Sequence, residues 1–129
     1  MPPNRCAVLL TRMRCIYESL ALKYRYAIEQ LSAVTGRAFT TLHVLGGGTK
    51  DRLLCQMTAD CCGLTVKAGP VEATALGNIM IQLKALGLLD SITQGRRLVA
   101  ETEVIKTYTP STQNYAEWNA AYDRFKTLL

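Results

Sequence analysis

Little in the sequence commits it to a membrane, a metal or an oxidising compartment. No apolar run in its 129 residues reaches the roughly 18 that a membrane span needs. The apolar patch from Cys6 to Leu10, with Arg5 before it, is shorter than the roughly 7–15 residues of a secretory h-region, and no small-residue cleavage site follows it. A cytoplasmic protein is the expectation. Histidine occurs once, at His43, and no CxxC pair is present. The five cysteines, Cys6, Cys15, Cys55, Cys61 and Cys62, are an odd number. A bridge between the neighbours Cys61 and Cys62 would strain the backbone. Metal sites need spaced Cys and His ligands. Free, mostly buried thiols and no metal site are therefore expected. There is no Arg-rich arm, no basic run with interleaved aromatics, no internal repeat and no low-complexity segment. The net charge of +5 comes from scattered Lys and Arg with acidic residues among them. That charge is all that speaks for a nucleic-acid partner, and none is expected.

The composition is that of a folded domain: 49% of residues are apolar and 19% charged. Ile16, Leu20, Tyr24, Ala27, Leu31 and Val34 recur at helical spacing, which predicts a long helix over Met13–Thr35 with that stripe inward and Gly36 as its stop. The short run Thr41 to Leu45 ends in three glycines and reads as a buried parallel strand. A helix follows over Asp51–Cys62, its apolar face Leu53, Leu54, Met57 and Cys61, with Gly63 ending it. Leu64–Ala68 reads as a second strand, stopped by Gly69-Pro70. Val71–Leu86 reads as a helix with Ala73, Leu76, Met80, Leu83 and Leu86 near helical spacing. Ser91 caps another up to about Glu103. Lys106–Thr112 reads as a loop. Asn114–Leu129 reads as a terminal helix with Trp118, Tyr122 and Phe125 on one side, as core or interface rather than a stacking platform; Tyr24 and Tyr26 are read the same way. Strands alternating with helices predict an α/β fold with a short parallel sheet. Two strands alone make a poor sheet, so the chain reads as a piece of a larger one.

The sharpest chemical feature is a strand running through Gly46-Gly47-Gly48 into a helix. Glycine lets backbone approach a ligand closely, and a helix start presents unpaired amides and partial positive charge. The run lacks the spacing of a Walker A loop or a dinucleotide fingerprint. On the glycines alone, a nucleotide seat and a plain tight turn both remain open. His43 reads as a strand residue, not a catalyst. Glu72, Ala75 and Gly77 read as packing residues, and a close helix–strand or helix–loop contact is expected at Gly77.

The stretch LHVLGGGTKDRLLCQMTADCCGLTV, followed by AGPVEATALGNIMIQLKALG, resembles the FGGY carbohydrate kinases. The preceding RCIYESLALKYRYAIEQL resembles the helix before this block in the rhamnulokinase branch of that family. Residues 14–129 are thus read as the C-terminal portion of the nucleotide-binding domain, and residues 1–13 as a divergent segment. The resemblance implies the second half of an actin-like, ribonuclease-H-like ATPase, with ATP in a cleft between two domains. It implies that Gly46, Gly47 and Gly48 touch adenine and ribose, Gly47 matching the family's middle glycine. The polar residue at the start of the next helix, commonly asparagine, helps hold adenine. Here it is Asp51, and a carboxylate accepts hydrogen bonds but cannot donate one.

The family's catalytic base, its first phosphate-binding segment and its sugar pocket match nothing in this sequence. The resemblance implies that the complete enzyme transfers the γ-phosphoryl group of MgATP to L-rhamnulose, and that the sugar reaches it through the missing N-terminal half. This chain alone is expected to be inactive, and to self-associate through exposed apolar surface. A kinase for L-fuculose or another ketose, and a non-catalytic interaction module, stand as alternatives.

Overall fold

In the computed structural model of the chain, which describes residues 5–129, the first helix is longer than the spacing predicts. Helix α1 spans Arg5–Thr35, 31 residues, which is about 46 Å of helix. No glycine or proline lies between Pro3 and Gly36, so nothing in Cys6–Arg12 stops a helix from continuing N-terminal to Met13.

The expected inward stripe is not the buried one. Leu31 is 54% exposed and Val34 84%, whereas Ala21 and Leu22 are at 0% and 8%. The i, i+4 rows through Tyr17, Ala21 and Arg25 and through Leu22 and Tyr26 face the rest of the chain. Both faces of α1 carry apolar residues, and local spacing cannot choose between them.

Strand β1 (Thr41–Val44) leads through a 3₁₀ turn, Gly47–Lys50, into α2 (Arg52–Cys62) and then β2 (Thr65–Ala68). β1 and β2 are parallel, with Thr41 beside Thr65 and Val44 beside Ala68. The segment expected to be a loop holds a third strand, β3. Lys106–Tyr108 pairs antiparallel with β2, Val66 opposite Tyr108. The sheet is therefore mixed, in the order β1-β2-β3, with β2 central. Between β2 and β3 lie α3 (Ala73–Ala85) and α4 (Ile92–Thr102), the latter capped by Ser91, whose hydroxyl accepts from the Gln94 amide. Helix α5 (Tyr115–Lys126) closes the described chain.

Helix α2 sits between two apolar clusters. Its buried residues are Cys55, Thr58, Ala59 and Cys61; Leu53, expected inside, is 55% exposed. Small side chains let the helix pack closely on two sides at once. Cys61 joins Ala21 and Leu22 of α1 and Tyr122 of α5, with Trp118 and Phe125 alongside, as their spacing predicted. Cys55 and Ala59 meet Val66 and Ala68, with Leu42, Val44 and Tyr108 alongside.

Helix α3 buries nothing and packs against α4. The contact expected at Gly77 is absent: a Cβ there would meet nothing within 4 Å. The close approach is at Gly95 of α4, where a Cβ would lie 2.8 Å from Met80 Sδ. Ala75 and Glu72 are exposed, Glu72 just ahead of the first helical residue. Cys55 and Cys61 are buried free thiols, Cys62 is half-buried and Cys15 exposed. The Cys6 side chain lies outside the described ones.

Candidate nucleotide site at the strand ends

The carboxyl ends of the two parallel strands are tied by their backbones. The Gly69 amide donates to Val44 O at 2.9 Å, and the Gly46 amide donates to Pro70 O at 3.1 Å. The glycine run and Gly69-Pro70 therefore share one edge. In open α/β sheets this edge is where ligands bind.

Each glycine of the run has a different setting. Gly46 sits at φ 80°, ψ −158°, a region that only glycine occupies readily. Its carbonyl accepts from both the amide and the hydroxyl of Thr49, at 3.1 and 2.7 Å. Thr49 is 5% exposed, so the turn is fixed from inside. Gly47 opens the 3₁₀ turn without positive φ, and a Cβ there would meet nothing within 4 Å. Gly47 and Gly48 are both exposed. The chain's own packing gives no reason for glycine at Gly47.

Asp51 caps α2, its Oδ1 accepting from the Leu54 amide at 3.0 Å. Its Oδ2 accepts from the hydroxyl of Tyr17 on α1 at 2.5 Å. The Tyr17 bond, followed by the Leu54 amide, holds the Asp51 carboxyl below its ordinary range. The same bond pushes the Tyr17 phenol up. Asp51 is thus an ionised acceptor with each oxygen already holding one donor.

The structure brings Gly46, Gly47, Gly48 and Asp51 into one continuous turn. Sequence reasoning missed Tyr17 and Gly69. Tyr17 reads as one more helix residue, and its partner lies 34 positions on. Gly69 reads as a plain turn, yet at φ 135° its Cβ would lie 2.9 Å from Val104 O. His43 is on β1, as expected, but it is exposed, and the strand expected to be buried is only half-buried. Among the described residues no three His, Cys, Asp or Glu side chains gather where a metal ion could be held. No described helix is long and apolar enough to cross a membrane.

An apolar groove of about 420 Å³ begins at Gly48 and runs between α1, β1 and α2, past Tyr24, Ile28, Leu31, Leu42 and Leu54. β1 pairs with β2 alone, so its outer edge is open along this groove among the described residues. Of the α1 stripe expected in the core, Tyr24, Ala27 and Leu31 line this groove.

Comparison with known proteins places this geometry. The profile of the C-terminal domain of the FGGY family of carbohydrate kinases matches residues 3–86. A rhamnulokinase of Bacteroides thetaiotaomicron is 48% identical over 117 residues, 91% of this chain and 24% of that protein. A rhamnulokinase of Enterobacter sp. (strain 638) is 44% identical over 123 residues, 95% of this chain and 24% of that one. The chain thus spans about a quarter of the length of these relatives. The crystal structure of xylulose kinase from Rhodospirillum rubrum superposes with a TM-score of 0.65 at 22% identity, covering 89% of this chain and 23% of that one. The fold is that of the C-terminal part of an actin-like ATPase domain, α/β with helices on a small sheet. With most of its length matched by the family profile and nearly half of its residues shared with a rhamnulokinase, the chain belongs to the FGGY family of carbohydrate kinases.

Proposed function

We propose that residues 14–129 supply the adenine-side wall of an ATP-dependent sugar kinase, which in its complete form passes the γ-phosphoryl group of MgATP to a hydroxyl of L-rhamnulose. The observation that carries the nucleotide reading is Gly47: exposed, unstrained, and, its chain neighbours aside, with no atom of the described residues within 4 Å of a Cβ. A ligand lying against the backbone accounts for glycine there. The rhamnulokinase names of the relatives support the sugar; L-fuculose or another ketose is the alternative within the family.

Residues of this chain bind and orient in this reading. Gly46 sets the turn, Gly47 and Gly48 present backbone to adenine and ribose, and Asp51 accepts from a base donor. Phosphoryl transfer needs positioning, charge neutralisation and a base for the hydroxyl proton. Mg²⁺ would arrive on the ATP phosphates, and the base and sugar pocket belong to the part of the enzyme preceding this segment. A cytoplasmic enzyme fits this chemistry.

The test is an NMR titration of ATP into the isotopically labelled chain. Shifts concentrated at Gly46, Gly47 and Gly48 are expected, and Gly47→Val should abolish them without lowering the melting temperature. Unchanged ATP binding by a folded Gly47→Val chain would reduce the glycine run to a turn.

A further inference from the structure

Asp51 has more support than a helix cap needs. A capping aspartate needs only to accept from the backbone amide two or three residues on. Here the second oxygen holds the hydroxyl of Tyr17, from a helix 34 residues earlier in the chain. Two donors on different oxygens, Leu54 N–H on Oδ1 and Tyr17 O–H on Oδ2, fix the plane of the carboxylate. Lone pairs remain on both oxygens, because an ionised carboxylate has about four acceptor sites. The group stands at the end of the glycine turn, where α1, the turn and α2 meet.

We propose that Tyr17 is a positioning residue for nucleotide recognition: it aims the Asp51 carboxylate so that it accepts from the 6-amino group of a purine and repels a 6-oxo group. The proposal rests on the nucleotide reading above and adds base selectivity and a second residue to it. An ionised carboxylate offers no donor, so it pairs with an amino group and meets a carbonyl oxygen as acceptor against acceptor. Its discrimination depends on its angle, and the hydroxyl of Tyr17 sets that angle. With phenylalanine the ring still fills its place on α1, and Oδ1 still caps α2. Oδ2 is then free to turn toward water.

The experiment titrates ATP and ITP, which carries a 6-oxo group in place of the 6-amino group, into the wild-type chain and the Tyr17→Phe and Asp51→Asn variants. NMR reads binding, with the Leu54 amide resonance and thermal melts checking the cap and the fold. Wild type should favour ATP. Tyr17→Phe should weaken ATP roughly five- to tenfold, the net scale of one ordinary hydrogen bond, and leave ITP within about twofold. Asp51→Asn, whose amide can donate to a 6-oxo group, should narrow the ATP-to-ITP ratio by a similar factor. Equal weakening of both nucleotides by Tyr17→Phe, or an unchanged ratio in both variants, would make Tyr17 a structural strut only and overturn the proposal. Absence of any wild-type shift at Gly46–Gly48 removes the nucleotide reading itself, and the proposal with it. That outcome is visible before any variant is made.

Discussion

The Tyr122 hydroxyl on α5 donates to Glu29 Oε2 on α1 at 2.7 Å, joining two helices 93 residues apart in sequence. Arg25 completes the junction. Its guanidinium lies 4.2 Å from the Tyr122 ring centroid, pairs with Glu29 at 3.1 Å, and donates to Asn119 Oδ1 at 2.8 Å and to Cys61 O at 3.3 Å. Burial, then the bond to Glu29, pushes the Tyr122 phenol up. The α1–α2–α5 corner is thus held by one polar network on an apolar core.

Tyr122→Phe keeps the ring and the cation–π contact and removes one bond to a charged acceptor. A loss of about 1–2 kcal/mol is expected, and about 3–5 kcal/mol for Tyr122→Ala, which empties the core position. Urea unfolding measures both. A phenylalanine variant as stable as wild type would mean that the bond to Glu29 is replaced by water without cost.

Two glycines separate packing from propensity. At Gly69 a Cβ would meet the Val104 carbonyl oxygen at 2.9 Å, and φ is 135°. Gly69→Ala should therefore destabilise by roughly 2–4 kcal/mol, since backbone cannot yield as a side chain can. Gly77 is helical with open space around it, so Gly77→Ala should stabilise by about 0.5–1 kcal/mol. Thermal melts of the two variants should move in opposite directions, and a shift in the same direction would contradict the geometry at one of them.

What the sequence made legible was local. The glycine run between a strand and a helix, the Ser91 cap and the aromatic face of α5 all announce themselves within a few residues. What it hid was decided at a distance. β3 is three residues long with Lys106 and Thr107 exposed. Only its pairing to β2 makes it a strand. Helix α1 carries apolar residues on two faces, and its partners α2 and α5 settle which one is buried. The role of Tyr17 depends on a carboxylate in another element.

The apolar groove beside β1 makes self-association measurable. Leu31 and Leu45 are more than half exposed there, at 54% and 56%, and the outer edge of β1 is open among the described residues. Open strand edges and contiguous apolar patches drive association. Sedimentation of the chain should show a dimer or larger species, and Leu31→Glu should shift it toward monomer. A wild-type chain that stays monomeric at high concentration would exclude association through this edge.

The isolated chain should not turn over. In the reading proposed above the base and sugar pocket lie outside these residues, and the aligned relatives carry about three quarters of their length elsewhere. ADP release from MgATP with L-rhamnulose should stay at background. Turnover in the range of about 1–10³ s⁻¹ common to enzymes would mean that a base within these residues has been overlooked.

Asp51 should also give the chain a signature in acid. Its folded pKa lies below the ordinary 3.8 because Tyr17 and the Leu54 amide stabilise the ionised form. A depressed carboxyl contributes stability that is fully present above its unfolded pKa and is lost as pH falls through the folded one. The wild-type chain should therefore lose stability on acidification from about pH 4 downward. Asp51→Asn caps the helix about as well but cannot titrate, so its acid loss should be shallower and its stability at neutral pH lower. Tyr17→Phe should lie between the two, because it removes the first-named cause of the shift and leaves the Leu54 bond. Tyr17 itself works at the opposite end: its raised pKa contributes stability that is present below its ordinary 10.0 and lost as pH rises through the folded value. Urea titrations from pH 2 to pH 7 on the three proteins test the acid limb. Parallel curves for wild type and Asp51→Asn would show that the carboxylate, though held at both oxygens, contributes nothing through its charge.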